Sequence, residues 1–184
     1  MSGLWVFVCG ASGAGKDSVI GWAANHLADD PSVVFARRMV TRAPQPGSDH
    51  DPVTPQQFDQ LVASDRLAWH WAAHGFAYGI GARYATDVLA GRTVVVNGSR
   101  EHATALQPDD AVRVVHIVAE RQQLLERLER RGREAPQEVA ARLERNDRFS
   151  DLKTHHTIVN RGLLADAGQQ LVHYLAPAAR ATQD

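Results

Sequence analysis

Sulfur, charge imbalance and long apolar runs are all scarce in this chain. A single cysteine, Cys9, among 184 residues excludes an internal disulfide, so it is expected to pack as a small apolar residue in a reducing compartment. Twenty basic residues against 21 acidic ones leave a net charge of −1, which gives no global pull toward nucleic acid or a membrane. Any basic patch must then be a local site. No apolar stretch is long enough to cross a bilayer, and because Leu4 already opens a strand-like run, no secretory leader is expected. A cytoplasmic protein is expected. Repeats, linkers and low-complexity segments are missing too, so residues 1–184 read as a single domain.

What is present begins with Leu4-Trp5-Val6-Phe7-Val8-Cys9, followed by Gly10-Ala11-Ser12-Gly13-Ala14-Gly15-Lys16-Asp17 and a helix-like segment from Ser18 to Leu27. Strand, glycine-rich loop and helix in that order make a phosphate-binding loop. The glycines let backbone N–H groups turn inward around nucleotide phosphates, Lys16 reaches the transferred end, and the helix directs its positive pole there. Asp17 stands where a Ser or Thr hydroxyl usually holds magnesium, and Ser18 comes one place late.

The rest of the chain alternates apolar runs with helical patterns, predicting an α/β fold with a parallel sheet flanked by helices. Ser32 to Ala36 begins an extended run that carries on to Arg42 and includes Arg37 and Arg38. Ala43 to Pro55, with four prolines, reads as a surface loop. Thr54-Pro55-Gln56-Gln57 looks like a helix N-cap with proline at the first helical position. Ala68 to Ala72 and Phe76 to Ile80 suggest a small inserted antiparallel pair, in which Trp69 and Trp71 share a face and serve as lobe core. A helix from about Tyr84 to Ala90 ends at Gly91. Thr93 to Asn97 and Val112 to Val118 read as buried strands, and helices are expected over 121–131 and 136–148. A short strand, Thr157 to Asn160, and a helix carrying Leu164, Leu171, Val172 and Leu175 close the chain. His155 and His156 are adjacent and cannot both face one ion from a regular strand, so histidine ligation of a metal is not expected.

Several motifs together resemble the guanylate kinase group of P-loop kinases over nearly the whole chain: the phosphate loop, Thr41-Arg42-Ala43-Pro44, Gly75 with Tyr78-Gly79, and Arg127-Leu128-Glu129-Arg130-Arg131-Gly132 followed by Arg142-Leu143. The resemblance implies a core of about 1–36 and 84–184 that holds ATP. It also implies an inserted acceptor lobe of about 37–83 and an arginine-rich lid of about 127–145. Alone, the arginines over 127–145 would read as a solvated helix pair with Glu126, Glu129 and Glu144 as partners. Beside a phosphate loop they read as a lid.

The departures are informative. Where that group carries Thr-Arg-x-Pro-Arg-x-Gly-Glu, this chain has Gln45 and Ser48 in place of an arginine and a guanine-reading glutamate, and Ala72 replaces a second such glutamate. A site without those carboxylates cannot select guanine. The loop with Lys16-Asp17-Ser18 and the stretch Val96-Asn97-Gly98-Ser99-Arg100 resemble instead the ribose 1,5-bisphosphate phosphokinases of bacterial phosphonate breakdown, a guanylate kinase-like family. That likeness implies transfer of the γ-phosphoryl of ATP to a base-free, doubly phosphorylated sugar, giving 5-phosphoribosyl 1-diphosphate (PRPP).

An acceptor phosphate with a second pKa of about 6 is already an anionic nucleophile near neutral pH, so positioning and charge neutralisation would dominate. By resemblance, the loop Gly10 to Ser18 takes the ATP phosphates, Lys16, Arg131 and Arg142 meet the migrating group, and Arg38, Arg42 and Tyr78 grip the acceptor phosphate. Asn97, Ser99 and Arg100 are assigned to sugar hydroxyls or the second phosphate. Asp17 is the candidate magnesium ligand. Two other functions stay open at this point: a nucleoside-monophosphate kinase of altered base choice, and a non-catalytic binding module of the same fold.

Overall fold

Valine-rich runs with no polar alternation can be buried on both faces only inside a covered parallel sheet, and that is where they lie. The structure, a computed structural model, describes residues 3–11, 13–44, 49–106, 111–120, 122–125, 149 and 152–176. Strands β1 (Leu4–Gly10), β2 (Val33–Ala36), β7 (Thr93–Asn97), β8 (Val112–Val118) and β9 (His156–Val159) form a sheet in the order β2-β7-β1-β8-β9. All its pairings are parallel. Alternate side chains of β1 serve two cores. Val6 and Val8 pack with Val19 and Ala23 of α1 (Lys16–His26) and Leu171 and Leu175 of the C-terminal helix α5 (Leu164–Leu175). Trp5 and Phe7 face the other way. Because β1 has β7 on one side and β8 on the other, the strand order reverses at its C-terminal end and a crevice opens there.

The lobe is larger than the expected antiparallel pair. Strands β3 (Arg38–Val40), β4 (Asp51–Pro52), β5 (Leu67–Ala73) and β6 (Phe76–Gly81) make a second sheet ordered β4-β3-β6-β5. The extended run from Ser32 to Arg42 is therefore not one strand: β2 pairs with β7 in the main sheet, and after Arg37 the chain crosses to pair with β6. The loop from Ala43 to Pro55 likewise contains β4, held parallel to Met39 and Val40. β5 and β6 are joined by His74-Gly75 alone, both with positive φ (53° and 78°), the backbone of a tight hairpin turn that explains a glycine there. Trp71 is buried against Tyr78, while Trp69 packs edge-on against Trp5 (5.8 Å) and Phe7 (5.1 Å) and so joins the lobe to the central strand.

Helix α2 (Pro55–Ala63) starts as its sequence indicates. Thr54 Oγ1 accepts from Gln57 N–H at 3.1 Å, and Gln57 Oε1 accepts from Thr54 N–H at 2.8 Å. Two further helices, α3 (Arg83–Leu89) and α4 (Arg100–Ala105), follow the lobe and β7. The expected helices over 121–131 and 136–148 lie largely outside the described residues, of which 122–125 are helical.

Gly168 brings α5 onto α1. A Cβ there would stand 2.3 Å from the Trp22 ring, which also stacks on His26 at 3.4 Å. Overpacking of this kind costs about 1–3 kcal/mol, more than the ~1 kcal/mol that alanine adds in a helix. Gly168→Ala should therefore lower Tm by roughly 2–6 °C in a thermal denaturation experiment. An unchanged or raised Tm would show that the helices have room to separate.

Candidate active site

The phosphate loop leaves β1 at the crevice, and its shape depends on glycine at defined points. A Cβ at Gly10 would lie 2.6 Å from the Ile117 carbonyl of the neighbouring strand, and Gly13 and Gly15 have φ of 89° and 85°, which side chains disfavour. Gly15 is the N-cap of α1 and offers no side-chain cap, so the first amides of an 11-residue helix are left for a ligand. The helix begins at Lys16, two residues before the expected Ser18. Ser12 lies outside the described residues.

Lys16, Asp17 and Asn97 form one polar knot. The Lys16 ammonium is 3.0 Å from Asp17 Oδ1 and also donates to Asn97 Oδ1, while Asn97 Nδ2 donates to Asp17 Oδ1 at 2.5 Å. Asn97 sits at the end of β7 in register with Val8, which is why it meets the loop. Partial desolvation by the surrounding protein would raise the pKa of the exposed Asp17, but the Lys16 charge and the hydrogen bonds from Asn97 and Lys16 outweigh it and bring it down to about 2. Burial draws the Lys16 pKa below its ordinary value, against the opposing charge of Asp17.

The lobe brings Arg38 to the same place. Its charge acts on both Lys16 and Asp17, and its guanidinium stands 5.6 Å from the centre of the Tyr78 ring. Tyr78 is buried and stacks on Trp71 at 5.6 Å, so the ring beside Arg38 is braced from behind. Arg42 lies 5.6 Å over the Phe76 ring. Arg37, between the two sheets, turns elsewhere: its side chain pairs with Asp49 and Asp51.

Ser99 and Arg100 stand at the start of α4. Ser99 Oγ accepts from His102 N–H at 3.0 Å, so the hydroxyl caps the helix and keeps its own proton to donate. Arg100 lies 4.4 Å over the Phe149 ring, and its charge reaches Cys9 and His116, which are in register on β1 and β8. Cys9 is fully buried, and that burial pushes its thiol up to about 12, so it is inert packing. Arg131 and Arg142 lie outside the described residues.

Sequence reasoning overlooked Asn160. It is 4% exposed, and its Nδ2 donates to the Ala14 carbonyl at 2.8 Å, bracing the loop from the end of β9. No local pattern signals a partner 146 positions away.

A glycine-rich loop running into an uncapped helix N-terminus, with one ammonium, one carboxylate and a second cation from the lobe, is suited to polyphosphate chemistry. No family model matches the chain. It is 40% identical to the ribose 1,5-bisphosphate phosphokinase PhnN of Burkholderia pseudomallei, covering 95% of this chain and 96% of that protein. It is 37% identical to the protein of the same name from Agrobacterium fabrum, covering 97% and 99%. Its backbone matches the crystal structure of guanylate kinase from Anaplasma phagocytophilum with a TM-score of 0.68 over 99% of this chain and 87% of that one; at 19% identity this likeness concerns the fold. The guanylate kinase-like architecture expected from the motifs is thus present, and end-to-end similarity extends to relatives that share one name. The chain belongs to the ribose 1,5-bisphosphate phosphokinase family.

Proposed function

We propose that this protein transfers the γ-phosphoryl of ATP to the 1-phosphate of ribose 1,5-bisphosphate, giving 5-phospho-α-D-ribose 1-diphosphate, in the cytoplasm where ATP is supplied. The observation that carries the reading is the ion pair of Lys16 with Asp17 at the loop, 3.0 Å apart, together with the charge of Arg38, which the lobe brings near enough to act on both. Two cations from opposite sheets are what a transfer between two phosphates needs, since the donor and acceptor anions repel each other. Ala72, where a base-reading carboxylate would stand, is exposed and offers no hydrogen bond to guanine. On this reading residues 1–36 and 84–184 hold ATP and residues 37–83 hold the sugar. Arg38, Arg42 and Tyr78 face the acceptor phosphate, Ser99 and Arg100 the sugar or its second phosphate, and Arg131 and Arg142 close over the migrating group. Asn97, assigned with them to the sugar, also bonds Lys16 and Asp17 and keeps the two in register.

Such a transfer implies magnesium, and the donor set suits it. Asp17 would offer an oxygen ligand at the loop, its side chain 61% exposed and ionised at any physiological pH, which fits a hard cation that keeps most of its waters. Held there, magnesium would supply positive charge to the phosphates during transfer. Asp17→Ala should raise the magnesium concentration for half-maximal rate by about tenfold, and an unchanged magnesium titration and turnover would remove Asp17 from the metal shell.

The test of the function itself is incubation with magnesium-ATP and either ribose 1,5-bisphosphate or GMP, following ADP release and the phosphorylated product. Formation of the diphosphate from the sugar alone is expected. Turnover of GMP in its place would return the protein to the nucleotide kinases, and inertness toward both would leave a binding module.

A further inference from the structure

A loop that receives a sugar bearing two phosphates should avoid carboxylates, yet this one carries Asp49-His50-Asp51. Arg37 resolves the conflict. Its Nε donates to Asp51 Oδ1 at 2.5 Å, one terminal nitrogen to Asp49 Oδ1, and the other to the His50 carbonyl at 3.2 Å. Its own backbone N–H donates to the Tyr84 hydroxyl at 2.9 Å, and β4 holds the segment against β3 through Val53 N–H to Val40 O at 3.0 Å. Both acidic charges are thereby paired, and residues 49–51 are fastened to the crossing between the two sheets.

The result is a histidine turned inward. His50 is 3% exposed, and its Nε2 lies 3.1 Å from the carbonyl of Arg42. A carbonyl only accepts, so Nε2 carries the proton and donates. The same stretch is held from the other side by Thr41 N–H to Ala77 O at 3.1 Å and Ala77 N–H to Thr41 Oγ1 at 2.8 Å, with the guanidinium of Arg42 over Phe76. An apolar side chain at 50 would fill the same space and leave that carbonyl without this donor.

We propose that His50 is a positioning residue that fixes the backbone of Arg42 so that its guanidinium is presented to the acceptor phosphate; this rests on the acceptor assignment made under the proposed function. Acting through Arg42 alone, it should govern acceptor affinity and leave ATP and the transfer step untouched.

The test uses the full chain and two measurements: calorimetric titration with ribose 1,5-bisphosphate in the absence of ATP, and steady-state kinetics. His50→Ala should weaken the sugar's Kd and raise its KM about tenfold, with kcat and the KM for ATP within about twofold. His50→Gln, whose amide can donate from nearly the same point, should recover most of that loss and covers the case in which the alanine variant folds poorly. In an Arg42→Ala background, His50→Ala should add less than about twofold. An unchanged Kd overturns the proposal, as do a parallel fall in kcat and rise in the KM for ATP, or an undiminished loss in the Arg42→Ala background. Sugar binding without turnover by the wild-type protein would sink the catalytic reading and leave His50 in its role; absence of binding would overturn both.

Discussion

Lys16→Met is expected to lower kcat about 10³-fold while leaving the protein folded. Lys16 opens α1 directly after the glycine-rich loop, its side chain is 15% exposed, and it is held at the loop by Asp17 and Asn97. A preorganised donor aimed at developing charge is worth about 10²–10³ in rate, and low solvent access pushes Lys16 toward the upper end. Asp17 keeps Asn97 as a donor and is open to water, so losing the ammonium should cost little stability. The check is single-turnover transfer at saturating magnesium-ATP, with a thermal scan to confirm folding. A rate within tenfold of wild type would mean that Lys16 does not face the transferred group and that another cation carries the charge. Binding of ATP should weaken far less than turnover falls, because the loop amides remain.

Acidification should destabilise the protein well above the range in which carboxylates titrate. Burial holds His102 and His116 down at about 4, with a smaller push from His70 on the first and Arg100 on the second. The sign follows from proton counting. Between about pH 6.5 and 4 the unfolded chain binds these protons and the folded chain does not, so stability is complete above about 6.5 and falls as pH drops toward 4. Asp17 acts later: its depressed pKa contributes stability present above about pH 4 and lost only as pH falls toward 2. Both histidines are half-buried, and solvent screening reduces each to about 1 kcal/mol, or roughly 4–8 °C in Tm for the pair between pH 7.5 and 5. His102 is the more consequential, since its ring stacks on Trp71 at 4.5 Å and meets Phe7 edge-on, where α4, the lobe and the central strand come together. In wild type and in His102→Gln/His116→Gln, Tm at the two pH values should differ by much less in the double variant. Equal differences would mean that other groups drive the acid response.

The elements readable in advance are those whose causes are local. The phosphate loop announces itself because strand, glycines, lysine and helix are contiguous, and the capping box of Thr54 and Gln57 spans four residues. Val94, Val95 and Val96 declare a strand buried on both faces. By contrast, the run from Val33 to Val40 has the same β-forming character throughout, so nothing in it marks Arg37 as the point where one sheet hands over to another. That break depends on which partners, β7 or β6, are already in place. The three arginines at 37, 38 and 42 are alike in sequence, and only the fold separates the one paired with Asp49 and Asp51 from the two placed near Tyr78 and Phe76.

Sequence alone therefore determined the chemistry this chain can perform at its first turn and the α/β class that carries it, because both rest on periodicity and on residues adjacent along the backbone. Tertiary structure alone decided that Asn97 belongs to Lys16 and Asp17, that Asn160 braces Ala14, and that His50 supports Arg42. A polar side chain is compatible with many partners until packing excludes water and leaves it one.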